Sequence, residues 1–253
     1  MLRDGQAGVE TLFLLRPVEA EFVPRAQVFP GGRIDEADAE DPWSELVDMS
    51  VAEAAAALGS EVVARAPARS FFIGAIREVF EETGVLLALA HGQSPDARWL
   101  ASARSEVHGG RASFAEVLRQ ASLAVRPREL VPFARWVTPE ALPKRYDTFF
   151  FAAAMPPGQE AVAAPGEIAS LEWVTPAAAL ARADSRDAYT LPPTRAALTA
   201  LSKFDSVAAA LAGLAQAAEL SPILPRVRTA PEGRSHAGIQ VVMPGEPGYT
   251  DPV

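Results

Sequence analysis

The chain is expected to fold as an α/β domain, with helical segments packed on short strands. Three observations carry this expectation. Apolar runs of five to eight residues, Val9 to Arg16, Leu130 to Val137, Phe149 to Ala154 and Ser170 to Val174, have strand length and mostly end at Gly, Pro or Thr-Pro. Between them lie stretches with helical periodicity, the most informative being Arg69 to Thr83. No Gly/Ser-rich linker and no internal repeat divides the 253 residues. The sequence therefore predicts one domain over 1–253, with helical insertions at about 39–70 and 92–128 and an irregular tail from about 222.

In chain order, Val9 to Arg16 is bounded by Gly8 and Pro17 and reads as a buried strand, so any strand before it must be very short. Phe22 to Phe29 is extended and leads into Pro30-Gly31-Gly32, a turn whose glycines permit positive φ and close approach to a ligand. Glu36 to Asp41 is acidic and polar. Val51–Ala57 and Glu61–Arg65 read as weakly amphipathic helices, broken by Gly59 and Pro67. After the helix ending at Thr83, Leu86 to Leu89 reads as a short strand. Asp96–Val107 and Ser113–Ala124 read as helices split by Gly109-Gly110. The strand Ser170–Val174 precedes a helix capped by Thr175, and two more helices, from Thr194 and from Val207, follow Pro192-Pro193. From Pro222 onward, Pro and Gly leave only loop or edge strand.

Composition narrows the function classes. Hydrophobic residues at 49% and charged residues at 22% describe a water-soluble globular chain, and no run of 18 uncharged apolar residues predicts a membrane span. Zero cysteines exclude thiol chemistry and fit a cytoplasmic setting. A net charge of −9 argues against a nucleic-acid surface, which would be basic. An acidic protein that binds phosphates needs local cations, and a metal bridging to the phosphate supplies them. His91, His108 and His236 have no partners at metal-ligand spacing, and Trp136 and Trp173 sit in strands as core residues.

The chemistry is concentrated in Arg77-Glu78-Val79-Phe80-Glu81-Glu82-Thr83-Gly84-Val85. Glu78, Glu81 and Glu82 stand at i, i+3 and i+4, so a helix projects all three from one face. Ile73, Ile76, Val79 and Phe80 supply the buried stripe, and Gly84 suits a left-handed helix terminus. Most glutamate-rich helix faces are simply solvated. A cluster of this kind is also what Mg²⁺ requires, since hard cations take carboxylate oxygens and keep water and phosphate as their other ligands.

The string resembles the second half of the signature of the Nudix hydrolases, which cleave nucleoside diphosphates linked to another moiety. The first half is present with a departure: Gly32 is followed after five residues by Asp38, where the family pattern has glutamate, and 38 residues (39 to 76) precede Arg77 instead of seven. An insertion of that length is tolerable, because loop-closure entropy rises by only roughly 0.6 kcal/mol per doubling of length. The interrupted form is similar to the subgroup of mammalian peroxisomal coenzyme A diphosphatases. Phe29 to Gly32, Arg135 to Pro139, Arg145 to Phe150, Glu172 to Val174 and Leu191 to Thr194 agree with that subgroup. A coenzyme A-directed element found before Pro-Gly-Gly in some relatives is not reproduced, since Glu21 and Arg25 occupy its positions.

The resemblance implies a Nudix fold, a mixed β-sheet sandwiched between helices, with extra helical insertions. It implies that Glu78, Glu81 and Glu82, with the Gly31 carbonyl, hold Mg²⁺ or Mn²⁺, that Glu78 or a loop glutamate is the base, and that Arg77 orients a glutamate. Gly32 and Asp38 are auxiliary candidates, Asp38 either hydrogen-bonded to Arg77 or a plain loop acid. Glu167 is either an extra ligand or base, or a solvated loop residue. Arg145 and Asp147 hold loops by a salt bridge or contact substrate. The expected activity is metal-dependent hydrolysis of a diphosphate linkage in coenzyme A or acyl-coenzyme A. ADP-ribose, NADH or a dinucleotide is the alternative substrate, and a non-catalytic nucleotide sensor the alternative class. The expected partners are a small-molecule diphosphate and, in a homodimer, a second copy of the chain, with no nucleic acid and no membrane.

Overall fold

The computed structural model describes residues 1–17, 26–59, 67–87, 89–90, 95–142, 144–166, 168–185, 190–218, 220–229, 239–247 and 249. The organising strand is β2 (Gly8–Leu15), joined through a tight turn to β1 (Leu2–Gly5), the short N-terminal strand for which the sequence leaves room. Along one flank of β2 runs β6 (Ser170–Val174), in antiparallel register from Thr11↔Val174 to Leu15↔Ser170. Thr11 also pairs with Leu2, and Leu14 with Val28 of β3 (Gln27–Val28), so β1 and β3 lie end to end on the other flank. A second hairpin, β4 (Val131–Val137) with β5 (Asp147–Ala152), has an irregularity between Pro132 and Ala134, where proline has no N–H for the ladder. This hairpin joins the first sheet through the residues after β5. Leu2 N–H donates to the Ala153 carbonyl (2.8 Å) and Met155 N–H to the Leu2 carbonyl (2.7 Å), a parallel contact that makes the sheet mixed.

Why β2 reads as continuously apolar is visible in its packing. Leu12 and Leu14 belong to the large core with Phe72, Ile73, Ile76 and Phe80 of α3 (Ala68–Thr83). Phe13 points the other way, onto Ala179 of α6 (Pro176–Ser185) and Leu198 of α7 (Pro192–Leu201). A strand with helices over both faces buries every side chain, so alternation disappears. Phe71 and Phe72 of α3 pack their rings on Phe149 and Phe151 of β5 at 5.0 and 4.9 Å. The catalytic-candidate helix is thereby fixed against both hairpins. On the far side α8 (Val207–Ala217) closes a smaller core with Leu2, Val9 and Ala152.

The two expected helical insertions are occupied as follows. Just before the first stands a single turn, α1 (Glu36–Ala39), and the first itself holds a 3₁₀ turn (Asp41–Ser44) and α2 (Val51–Leu58), so the acidic stretch at 36–41 carries structure that its polarity hides. Helix Glu61–Arg65 lies outside the described residues. The second holds α4 (Ala97–His108), capped by Asp96, and α5 (Phe114–Gln120), capped by Ser113 and ending four residues short of its expected limit. α7 starts at Pro192, proline being well suited to a first helical position, and Thr175 Oγ1 accepts the Ala178 N–H at the start of α6. The tail forms a hairpin, β7 (Arg226–Thr229) with β8 (Ile239–Val242), and upstream of it Ile223 runs parallel to β4, exchanging hydrogen bonds with Arg135 and Val137 (both 2.9 Å).

One expectation needs correction. Leu86 and Leu87 are in no strand, Ala88 lies outside the described residues, and Leu89 makes a single antiparallel bridge to Val125. Both backbone groups of Leu86 are taken by the Gln159 side chain, whose Oε1 accepts the N–H (2.8 Å) and whose Nε2 donates to the carbonyl (3.0 Å). One amide side chain replaces the strand neighbour. Trp173, half-buried, packs against the large core and carries the Arg3 guanidinium 4.4 Å over its ring, and Trp136 is buried. Among the described residues no helix is long and apolar enough to cross a membrane.

Candidate active site

Arg77 is the hub of the site. It sits at 5% exposure in the second half of α3, and its guanidinium is fully engaged. Nε and Nη2 donate in a fork to Asp38 Oδ1 and Oδ2 (both 2.9 Å), and Nη2 also donates to the Arg33 carbonyl (2.7 Å). Nη1 donates to Glu81 Oε1 (2.9 Å) and Glu78 Oε1 (3.1 Å), with Asp35 Oδ2 at 3.6 Å. A planar fork against a carboxylate is the geometry arginine serves better than lysine. Asp38 is therefore the partner of Arg77 and no plain loop acid. Its second oxygen also accepts the Asp35 N–H (2.9 Å), which ties the α1 turn to the same ion pair.

The Gly31-Gly32 loop lies against the glutamates on the opposite side. Gly31 N–H donates to Glu82 Oε2 (2.8 Å), and Gly31 has φ 150°, which a side chain would resist. At Gly32 a Cβ would be driven into the Glu78 carboxylate, so a larger residue there has to displace that side chain. α3 ends as expected, with Gly84 left-handed (φ 72°, ψ 1°) and donating to the Phe80 carbonyl. The Val162 and Ala164 N–H groups take the carbonyls of Thr83 and Glu82 (2.8 and 3.0 Å), so the helix end is satisfied and rigid.

Charge is strongly biased here. Burial pushes the Glu78 carboxyl up to about 7, opposed by Arg77 and reinforced by the neighbouring Glu81 and Asp35 charges. For Arg77, burial disfavours the cation, but the Asp38 hydrogen bonds and charge, with Glu81 and Glu78, hold it above its ordinary range. Without a cation bound, Glu78 is thus a carboxyl that gains or loses a proton near neutrality.

The sequence candidates separate clearly. Arg77, Glu78, Glu81, Glu82, Gly31, Gly32 and Asp38 converge, although Gly31 meets the helix through its N–H. Glu167 lies outside the described residues, as do His91 and His236. Arg145 and Asp147 do not pair with each other. Asp147 is held by Arg135 through two bonds (2.9 and 2.8 Å), and Arg145 Nε donates to the Thr138 carbonyl (3.2 Å). Two participants were not foreseen. Asp35 adds charge beside Glu78, and Gly74 lets the Asp38 loop approach, since a Cβ there would stand 3.1 Å from Asp38 Oδ2. A glycine within a helix costs up to about 1 kcal/mol against alanine, so Gly74, one turn before Arg77, was the signal for a close approach.

Hard divalent cations suit this donor set, because it consists of carboxylate oxygens without sulfur or imidazole. Among the described residues no three acids are already converged on one cation position. Arg77 and the Gly31 N–H occupy one oxygen of each glutamate.

Residues 65–201 match the family model described as the NUDT19 Nudix domain. The chain is 28% identical over 241 residues to the acyl-coenzyme A diphosphatase NUDT19 of Gallus gallus, covering 80% of this chain and 64% of that protein. The Xenopus laevis counterpart is 27% identical (80% and 62%), and the putative nudix hydrolase 7 of Caenorhabditis elegans 27% (72% and 52%). The chain thus spans less than two thirds of the length of these relatives. The crystal structure of a NUDIX hydrolase from Alicyclobacillus acidocaldarius aligns with a TM-score of 0.69 at 26% identity, over 83% of this chain and 91% of that one.

Proposed function

This chain belongs to the Nudix hydrolase family, and from that premise we propose that it hydrolyses a diphosphate linkage in coenzyme A or an acyl-coenzyme A, with Mg²⁺ or Mn²⁺ held by Glu78, Glu81 and Glu82 and the Gly31 carbonyl. The observation that carries this reading is the Arg77 hub, which gathers both halves of an interrupted motif around three carboxylates on one face of α3. The vertebrate relatives are acyl-coenzyme A diphosphatases, which supports the substrate class. When bound, the cation supplies charge neutralisation at the diphosphate and a lowered pKa for the attacking water.

The residues of the chain do the rest. Glu78 or a loop glutamate accepts the proton of the water that attacks phosphorus in line with the departing phosphate. Arg77 touches no substrate; it holds Glu78 and Glu81 in orientation, and Asp38 holds Arg77. Gly31 and Gly32 keep the loop thin enough for a diphosphate to reach the carboxylates. Three closely spaced acids are more than a nucleotide sensor needs, which disfavours a non-catalytic role.

A substrate panel with Mg²⁺ or Mn²⁺ tests the reading: coenzyme A, acyl-coenzyme A, ADP-ribose, NADH and diadenosine polyphosphates. The expected products from coenzyme A are adenosine 3′,5′-bisphosphate and a phosphopantetheine. Turnover confined to the other members overturns the substrate class, and no turnover at all overturns the enzyme reading in favour of a sensor.

A further inference from the structure

We propose that the cleft beside the glutamate cluster is a subsite for a second anionic group of the substrate, the 3′-phosphate of a 3′-phosphorylated nucleotide, recognised by Arg145 and Arg33. This rests on the reading above that the diphosphate lies at the glutamates. The cleft has a volume of about 260 Å³ and is lined by Arg135, Arg145, Tyr146 and Asp147, with Pro222 and Leu224 of the tail as its far wall.

Arg33 fixes where the cleft lies relative to the chemistry. Its carbonyl accepts from Arg77, while its side chain donates from Nη2 to the hydroxyl of the cleft residue Tyr146 (3.3 Å) and lies 5.6 Å from the ring centre. One arginine side chain therefore separates the hub of the glutamates from the cleft. A ribose carrying a 5′-diphosphate and a 3′-phosphate bridges a comparable gap.

Charge selects the ligand. Arg135 is neutralised by Asp147, whose two oxygens both face it. Arg33 and Arg145 are exposed, and among the described residues neither forms an ion pair; Arg145 donates to a neutral carbonyl and Arg33 to a neutral hydroxyl. Two uncompensated guanidinium groups beside one cleft, in a chain of net charge −9, favour an anion. Their forked donors match a phosphate better than a lone carboxylate-binding ammonium would. ADP-ribose, NADH and dephospho-coenzyme A lack the 3′-phosphate, so the subsite discriminates against them.

The test has a binding arm and a turnover arm, both on the full chain. Isothermal titration without metal compares adenosine 3′,5′-bisphosphate with adenosine 5′-monophosphate. The bisphosphate is expected to bind about tenfold more tightly, the size of one charge-assisted contact at an exposed site. With Mg²⁺, the ratio of kcat/KM for coenzyme A over dephospho-coenzyme A should show the same preference. Arg145→Ala is expected to bring both ratios towards one, whereas Arg145→Lys retains part of the preference. If Arg145 only braces the Thr138 loop, Arg145→Ala lowers both substrates alike and the ratio stays fixed, which overturns the proposal. Equal binding of the two nucleotides to the unmodified chain overturns it as well. Preferential binding of the bisphosphate without turnover of either coenzyme upholds the subsite while removing the proposed hydrolysis.

Discussion

Asp38→Ala is the most direct test of the buried hub. It removes both fork contacts to Arg77 and the acceptor for the Asp35 N–H, at a position 1% exposed. Breaking a buried ion pair by deleting one partner costs about 3–5 kcal/mol. The lower end applies here, because Arg77 keeps Glu81, Glu78 and the Arg33 carbonyl. The orphaned Asp35 N–H is half-exposed and adds up to about 1 kcal/mol. A loss of roughly 3–4 kcal/mol, at about 2–4 °C per kcal/mol for a chain of this size, lowers the Tm by roughly 6–16 °C. Differential scanning calorimetry with EDTA reads this directly. The double variant Arg77→Met/Asp38→Leu should lose less than the two single changes combined, because no charge is then left buried alone. A Tm within about 2 °C of the unmodified chain in Asp38→Ala would refute the buried ion pair as the clamp between the two motif halves.

Glu81→Gln and Glu82→Gln should each abolish Mg²⁺-dependent hydrolysis while leaving the far-UV circular dichroism intact; undiminished turnover removes the metal assignment. Gly32→Ala forces the Glu78 carboxylate aside and should cut kcat by roughly tenfold or more with little change in Tm, since the loop is exposed. With its carboxyl raised from 4.5 to about 7, Glu78 stabilises the metal-free fold below pH 4.5 and loses that contribution as pH rises through 7. Urea midpoints should therefore fall across this window, and Glu78→Gln should flatten the fall. Gln159→Ala strands both backbone groups of Leu86 and should cost roughly 2–4 kcal/mol in chemical denaturation; a loss below about 0.5 kcal/mol would mean that water replaces the amide.

Legibility in the sequence followed the range of the interactions. The α3 face was readable because its spacing of three and four residues is local geometry, and Gly84 because a left-handed helix end is a local backbone demand. The strand β2 was readable from its apolar run, although only the packing of Phe13 against Leu198 explains why no alternation marks it. Non-local substitutions were invisible. Gln159 completes Leu86 from 73 residues away, so an apolar run that looked like a strand does not begin as one. Arg135 takes Asp147 from across a hairpin, and adjacency made Arg145 the more obvious partner. Asp38 was ambiguous because its role depends on a fork closed over 39 positions. Gly74 shows its reason only when the Ile34–Asp38 segment is laid against the helix.

The Arg77–Asp38 fork has a consequence for how such motifs diverge. Once a guanidinium and a carboxylate grip each other across space, the polypeptide between them ceases to be a ruler. Its length and content become free for other uses, at a cost that grows only as the logarithm of the chain added. A site of this construction also lends itself to fragment complementation, because a covalent link is replaced by a buried contact that two separate pieces can remake. Fixed spacings in a motif record where the peptide happened to run in most members of a family; the physical invariant is the pair of groups that finds itself in register.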